Sequence, residues 1–496
     1  MPWRIHRPFT YRTAGVQDRI HLPSKNGITM TSTTRRTAVL AGLTATLLAG
    51  PLAGAAIAAP TATITLNGSG ASVAGSNVTV SGSAITITAP GSYQISGTLN
   101  NGYVKVDTAA AGTVEIILSG ASITNSTSSP LYVTNADAVT VTLAAGTTNR
   151  LTDATTYTTT GEPDAALFSA ADLTIGGTGA LTVQARYQDG IVSKDDLVIQ
   201  SGTITVNAVD DAIRGKDSLT VNGGAITVTS TAGDGLKSND TEAGKGVVNI
   251  TNGTISVSVA DDGIKGENAL NISGGTINVT RSYEALEALK LTISGGNSTV
   301  VASDDAVNAA EEGLGHMEPS PNAFIRVTGG TVVATGGTDG FDSNGELTFA
   351  GGTVVANGSS TRGGGEGALD TDATLSFTGG TVVGAGLTSM AVFKAVPNTG
   401  QGWVAPRFST TYAANTIVHV VSGSTVLASF RASKSFREVV ISSNRITNGQ
   451  RYDVYTGGSV SGTNVGGLYT GGSISGATRV LTGVTAGQYS GGMIRS

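Results

Sequence analysis

A short glycine-centred unit recurs along the middle of the chain, and it limits the available folds more than any other feature. The segment SGTITV at Ser201 returns as NGGAITV at Asn222, NGTISV at Asn252, SGGTINV at Ser273, SGGNSTV at Ser294, TGGTVV at Thr328, AGGTVV at Ala350 and TGGTVV at Thr378. Between the last glycines of these units, Gly202, Gly224, Gly253, Gly275, Gly296, Gly330, Gly352 and Gly380, the spacings are 22, 29, 22, 21, 34, 22 and 28 residues. The unit is therefore 21 to 22 residues long with occasional insertions. Each copy reads apolar-x-apolar, glycine turn, apolar-x-apolar, acidic corner, short apolar step, and helical periodicity is absent. Alternating β-branched residues around fixed glycine corners predict an all-β fold, a parallel β-helix whose rungs pair about 4.8 Å apart.

Looser strand and turn units precede the array: GSYQISGTLN from Gly91, GTVEIILSGASIT from Gly112, LYVTNADAVTVTLAAGTTNRLTD from Leu131 and DLTIGGTGALTV from Asp172. Residues 59–165 are accordingly expected to form N-terminal capping rungs, and residues 166–397 the main solenoid. After Pro397 the run TIVHVVSGSTVLASFRASKSFREVVISS alternates as antiparallel strands do, which predicts a small C-terminal β cap over residues 398–457. The tail, residues 458–496, repeats YTGGSVSG and YTGGSISG and is read as a flexible or edge-strand appendage.

The N-terminus stands outside this pattern. From Met30 the chain reads MTSTTRRTAVLAGLTATLLAGPLAGAAIAAP, with Arg35 and Arg36 before an apolar stretch and a small-residue site at Ala56-Ile57-Ala58. Residues 30–58 are thus expected to be an export signal cleaved near Ala58, with the twin-arginine route open, and residues 1–29 a misassigned upstream start. Removal would leave 22 Lys and Arg against 34 Asp and Glu, a charge of 22 − 34 = −12, on a secreted protein. That acidity without a basic patch argues against a nucleic-acid partner. The 496 residues include no Cys, which excludes disulfides, thiolate metal sites and cysteine nucleophiles. No second apolar stretch is long enough to span a bilayer. A monomer is expected.

The acidic corner carries the chemistry. Nine residues after Gly202, Gly253, Gly275, Gly296 and Gly330 come Asp211, Asp262, Glu284, Asp305 and Asp339; Asp234 follows Gly224 by ten, and Asp189 holds the matching place upstream. Asp210, Asp261 and Asp304 add a second acid immediately before three of them. Carboxylates stacked about 4.8 Å apart repel by roughly 3 to 4 kcal/mol per neighbouring pair at an effective dielectric near 20. Three residues on, the early rungs offer Arg214, Lys237 and Lys265, whereas later ones offer Glu287, Asn308, Asp342 and Asp370. An oxygen-rich corner without cysteine suits a hard cation, and Ca²⁺ accepts carboxylate and carbonyl oxygens at flexible geometry. The competing reading is that aspartates before glycine simply form solvated turns.

Several segments together resemble a known family: YQDGIVSKDDLVIQSGTITV, DDAIRGKDSLTVNGGAITV, GDGLKSND, DDGIKGENALNISGGTINV, YEALEALKLTISGG and DDAVNA, with LAAGTTNRLTD and FSAADLTIGGTGALTV upstream. They resemble, in consistent order from about Gly91 to Phe393, the bacterial extracellular carbohydrate-binding β-helix family, which is similar in fold to the family-nine pectate lyases. The resemblance implies a right-handed parallel β-helix, bound calcium, and binding of cellulose or an acidic plant polysaccharide such as polygalacturonate. It puts calcium-type positions on Asp210, Asp211, Asp234, Asp261, Asp262, Asp304 and Asp305; Glu284 and Glu287 at the same corner complete the candidate metal ligands. Ala212, Ala285 and Ala306 depart from the family's corner glycine, and Gly367 interrupts the ladder.

Three functional classes remain. A pectate-lyase-like β-elimination needs a base beside the sugar's C5 proton, for which Lys237 and Lys265, then Arg214, are the candidates. In a binding module the same Lys237 and Lys265 contact sugar carboxylates or balance the acids, and this non-catalytic reading is preferred because a lysine beside carboxylates makes a poor base. A structural stalk is the third class. His316 and His419 sit apart from the ladder, and no G-x-S-x-G motif is present. The aromatic residues Tyr103, Tyr187, Tyr283, Phe341 and Trp403 are scattered, so they read as wall or cap residues before sugar platforms.

Overall fold

The computed structural model describes residues 59–489 apart from 159, 312, 315–317, 361–366 and 388–399. The expected export signal with Arg35 and Arg36, the upstream segment 1–29, His316 and the junction near Pro397 lie outside the described residues. The described residues form strands and turns without a helix, most of the strands in one long, mainly parallel sheet.

Each strand pairs in parallel with one a single rung further along. Thr203–Ala208 pairs with Ala225–Ser230 at a constant offset, Thr203 facing Ala225 and Ala208 facing Ser230. One inward column runs Val183, Val206, Val228, Val257, Val279 and Val300, all at most 1% exposed. A second runs Leu197, Leu219, Val248, Leu270, Leu291 and Ile325. Strand alternation explains both, because residues i and i+2 share a face and β-branched side chains pack well there. The short apolar step expected after the acidic corner forms a third inward column: Ile191, Ile213, Leu236, Ile264, Leu286 and Val307 stack in register, and Phe341 continues the line; all are fully buried.

The repeated glycines make the corner between strands. Gly330 has φ of 75°, and a Cβ there would lie 2.6 Å from the Gly295 carbonyl oxygen. Both the left-handed backbone and the close approach of the preceding rung require glycine.

Antiparallel strands close the two ends of the stack. Ala71–Gly75 covers the free edge of the first parallel strand, Ala62–Gly68. At the other end Phe436–Ser442 pairs antiparallel with Leu375–Gly386. Covering these edges removes the row of unpaired amides that would otherwise recruit further strands. Beyond it Ile417–Ser422, Thr425–Arg431, Arg451–Thr456 and Thr478–Thr485 join a six-stranded sheet, so the Gly/Ser-rich tail contributes an edge strand to the cap. An outward column marks where this sheet packs: Thr205, Thr227, Ser256, Asn278 and Thr299 give way to Val333, Val355 and Val383, which join the cap's apolar core.

Candidate functional site

The corner acids form one continuous row, Asp189, Asp211, Asp234, Asp262, Glu284, Asp305 and Asp339. The amide after each donates to the corner carbonyl of the next rung, from Gly190 to Asp211 at 2.9 Å through Ala306 to Asp339 at 3.0 Å. The side chains make a second ladder beside the first. An Oδ1 of Asp189 accepts the Asp211 amide at 3.0 Å, Asp211 accepts Asp234 at 3.1 Å, Asp234 accepts Asp262 at 2.8 Å, and Asp262 accepts Glu284 at 3.2 Å. Asp305 accepts Asp339 at 2.7 Å, and Asp339 accepts Gly367. Each aspartate thus ties off a backbone amide at a corner where regular pairing is interrupted. Glu284, one methylene longer, departs: its carboxylate receives the Asn308 Nδ2 at 2.8 Å.

The second carboxylate oxygens meet a row of cations in the early rungs only. Arg214 lies between Asp189, Asp164 and Asp211, and Lys237 between Asp234 at 2.7 Å and Asp211 at 3.4 Å. Lys265 lies between Asp262 at 3.0 Å and Glu287 at 2.6 Å. Strand register stacks these cations on one another and then on Glu287, Asn308 and Asp342. Among the described residues no lysine or arginine lies within 4.0 Å of Glu284, Asp305, Asp339 or Asp342.

Proton affinities follow this division. Burial pushes Asp234 up to about 6 and Asp189 up to about 7, against the lowering pull of Lys237 and Arg214 respectively. In the later rungs burial, reinforced by neighbouring carboxylates, pushes Asp342 to about 7, Asp305 to about 8 and Asp339 to about 10. Glu284 and Glu287 rise for the same first cause. Lys237 and Lys265 have raised pKa values because the attraction of their paired carboxylates exceeds the opposing effect of burial.

Two groups bring three carboxylate oxygens within 4.8 Å of one another: Asp234 with Asp261 and Asp262, and Asp262 with Glu284 and Glu287. They share Asp262. Beside the second group, Asn308 is 6% exposed and its Oδ1 has no hydrogen-bond partner. Oxygen donors, near-burial and an orphaned carbonyl oxygen suit a hard cation. Asp210, Asp261 and Asp304 lie in an outer row at the rim, where burial and the adjoining corner acid push Asp210 and Asp261 up.

The structure therefore brings Asp210, Asp211, Asp234, Asp261, Asp262, Glu284, Glu287, Asp304 and Asp305 to one corner of successive rungs, with Arg214, Lys237 and Lys265 along its side. Two features had escaped the sequence reading. Asp164 meets the row from the preceding rung: Ala165 stands opposite Asp189, while the Asp164 carbonyl accepts the Asp189 amide and its carboxylate pairs with Arg214. Asp240 gathers Lys216 at 2.8 Å and Lys245 at 3.8 Å at a separate loop.

Comparison with known proteins places this geometry. A family described as carbohydrate-binding domain-containing protein matches residues 81–340, just over half of the chain. The chain belongs to that family. A carbohydrate-binding domain-containing protein of Acetivibrio thermocellus is 42% identical over 126 residues, 25% of this chain and 44% of the relative. The chain thus spans less than half the length of that relative. A solved structure, the gadolinium derivative of the polysaccharide lyase-like protein from C. thermocellum, is 35% identical with a TM-score of 0.43, covering 48% of this chain and 93% of the other.

In this carbohydrate-binding domain protein the aromatic residues are mostly enclosed. Trp403 and Phe341 are core residues, Tyr103 packs against Tyr132, and Tyr187 stacks on Tyr157 at 4.4 Å. Tyr283 differs: it is 48% exposed, immediately before Glu284. His419 is fully buried, bonded to the Ser429 hydroxyl at 2.7 Å and the Gly457 carbonyl at 2.9 Å, a structural arrangement in the cap. A shallow cavity of about 110 Å³ flanks the ladder, lined in part by Lys265, Glu267, Glu287 and Glu311.

Proposed function

We propose that the chain is a secreted right-handed parallel β-helix that binds plant-type polysaccharide, acidic and polygalacturonate-like or cellulosic, with Ca²⁺ held in the corner ladder. The observation that carries the reading is the carboxylate row itself, matched by three cations in its early rungs and by none of the described lysines or arginines at Glu284, Asp305, Asp339 and Asp342. Asp234, Asp261 and Asp262, or Asp262, Glu284 and Glu287, would hold the ion, with Asp210, Asp211, Asp304 and Asp305 adjoining. Bound calcium supplies a local positive centre for sugar carboxylates on a protein whose net charge repels them. Lys237 pairs with Asp234 of the first group and Lys265 with Asp262 and Glu287 of the second, so metal at those carboxylates leaves their ammonium groups available to ligand.

A lyase is the less favoured alternative. Lys237 and Lys265 are each held between two carboxylates and stay protonated at neutral pH, and Arg214 is held by three aspartates. A group already bound to its proton cannot accept another. The test is a binding panel of polygalacturonate, cellulose and neutral glucans with calcium or chelator, read alongside the absorbance of unsaturated uronate products. Polygalacturonate binding that vanishes in chelator, without products, is expected. Products that accumulate and are abolished by Lys265→Ala would establish the lyase; no binding to any polysaccharide would leave the stalk.

A further inference from the structure

Three of the four exposed large hydrophobic side chains in the described residues lie beside the acidic corner. Val209, 37% exposed, directly precedes Asp210; Val301, 40% exposed, lies three residues before Asp304; Tyr283, 48% exposed, lies between them in rung order. Tyr283 occupies the outer row at the place where the neighbouring rungs carry Asp261 and Asp304. Its amide donates to the Asp261 carbonyl at 2.8 Å, and its carbonyl accepts the Asp304 amide at 2.9 Å. Ser282, just before it, donates its hydroxyl to the Val301 carbonyl at 3.1 Å, which ties the valine's rung to the tyrosine's. The Asp304 carboxylate neighbours the phenol.

Folding leaves an aromatic ring exposed here although every other described tyrosine is more covered. A backbone pinned on both sides holds that ring in place, so binding to it costs little ordering. A pyranose has the complementary form: an apolar face of C–H groups, edged by hydroxyls that donate hydrogen bonds. The carboxylate oxygens of Asp261 and Asp304 accept such bonds, which favours a ring bearing hydroxyls over one bearing a carboxylate at this place.

Resting on the carbohydrate-binding reading above, we infer that Tyr283, with Val301 beside it and Asp261 and Asp304 as acceptors, is a subsite for a neutral pyranose ring and works without calcium. The experiment titrates a soluble β-1,4-glucan oligosaccharide into the full chain in chelator, by calorimetry or tyrosine-edge NMR shifts. Tyr283→Ala is expected to weaken binding about tenfold or more, the worth of one aromatic contact. Tyr283→Phe, which keeps the ring, should stay within about threefold of the parent. Matching melting temperatures for the parent and both variants exclude a folding defect, since the side chain is outside the core. Unchanged affinity in Tyr283→Ala, or glucan binding that requires calcium, overturns the inference. If the parent binds polygalacturonate with calcium but no glucan in chelator, this subsite fails and the broader reading stands; if it binds no polysaccharide at all, the broader reading fails.

Discussion

The early rungs, Asp189 to Asp262, and the later ones, Glu284 to Asp342, use the same corner in different electrostatic settings. In both, an aspartate oxygen caps the next rung's amide, as Asp234 does for Asp262 at 2.8 Å and Asp305 for Asp339 at 2.7 Å. Early on, Arg214, Lys237 and Lys265 interleave with the acids; later, Asn308 and Asp342 take the cations' places in the stack. Capping alone explains why a short acceptor recurs at the corner, but an asparagine would cap equally well without charge. The uncompensated charge of the later rungs therefore needs protons or a metal. In the proposed reading calcium supplies that compensation.

The largest expected effect is a stability that falls with rising pH in chelator. Unfolded aspartate titrates near 4, whereas folded Asp305 and Asp339 titrate at about 8 and 10, so the folded state holds extra protons between those limits. Their contribution is complete below the unfolded pKa and is lost as pH rises through the folded one, at about 1.4 kcal/mol per pH unit for each group held neutral. Asp234, at about 6, should act lower in the range. Denaturant melts from pH 5 to 9 should show Asp339→Asn flattening the profile across the whole range and Asp234→Asn flattening it only below about pH 6. A flat parent profile would erase the distinction between the halves.

Truncation offers a second contrast. Asp234→Ala removes a buried partner of Lys237 and the cap on the Asp262 amide, and should cost about 3 kcal/mol. Asp305→Ala also removes one cap, but it relieves repulsion by Asp342 and Asp304 as well, so about 1 kcal/mol is expected at pH 7.5 in chelator. Equal losses would show that the cations contribute nothing the caps do not.

Much of this was legible before the fold was seen, for specific reasons. Gly202 to Gly380 mark one corner per rung, so counting from them found both the acids and the inward column through Ile264 and Leu286. Arg214, Lys237 and Lys265 fell into register by the same count. The capping role of each aspartate was hidden, because spacing does not reveal which way a carboxylate turns. Tyr283 read as a wall residue, since an aromatic beside an apolar step usually faces inward; the bend from Ser282 to Ala285 turns it out. Ser298 shows the converse, standing in the inward column where neighbouring rungs carry Ile277 and Val332. The tail pairs into the cap on two strands, Leu468–Tyr469 on Thr425–Arg431 and Thr478–Thr485 on Arg451–Thr456, partners that its Gly/Ser-rich composition could not announce.

A last contrast locates the metal relative to the boundary between the halves. An ion that binds only the folded state stabilises it by mass action, about 2.7 kcal/mol at a hundredfold excess over its dissociation constant. Melting should therefore rise in calcium and fall in chelator. Asp262 belongs to both three-carboxylate groups, one reaching back to Asp234 and the other forward to Glu284 and Glu287. The double replacement Asp261→Asn and Asp262→Asn should accordingly remove most of the calcium shift, while the Oδ1 cap on the Glu284 amide survives in asparagine. Glu287→Gln touches the forward group alone; if it abolishes the shift, the ion sits at the later rungs, and if the shift persists, it sits at Asp234 and Asp261. Equal melting in calcium and chelator would instead leave the acids as amide caps, with protons alone offsetting the later rungs' charge.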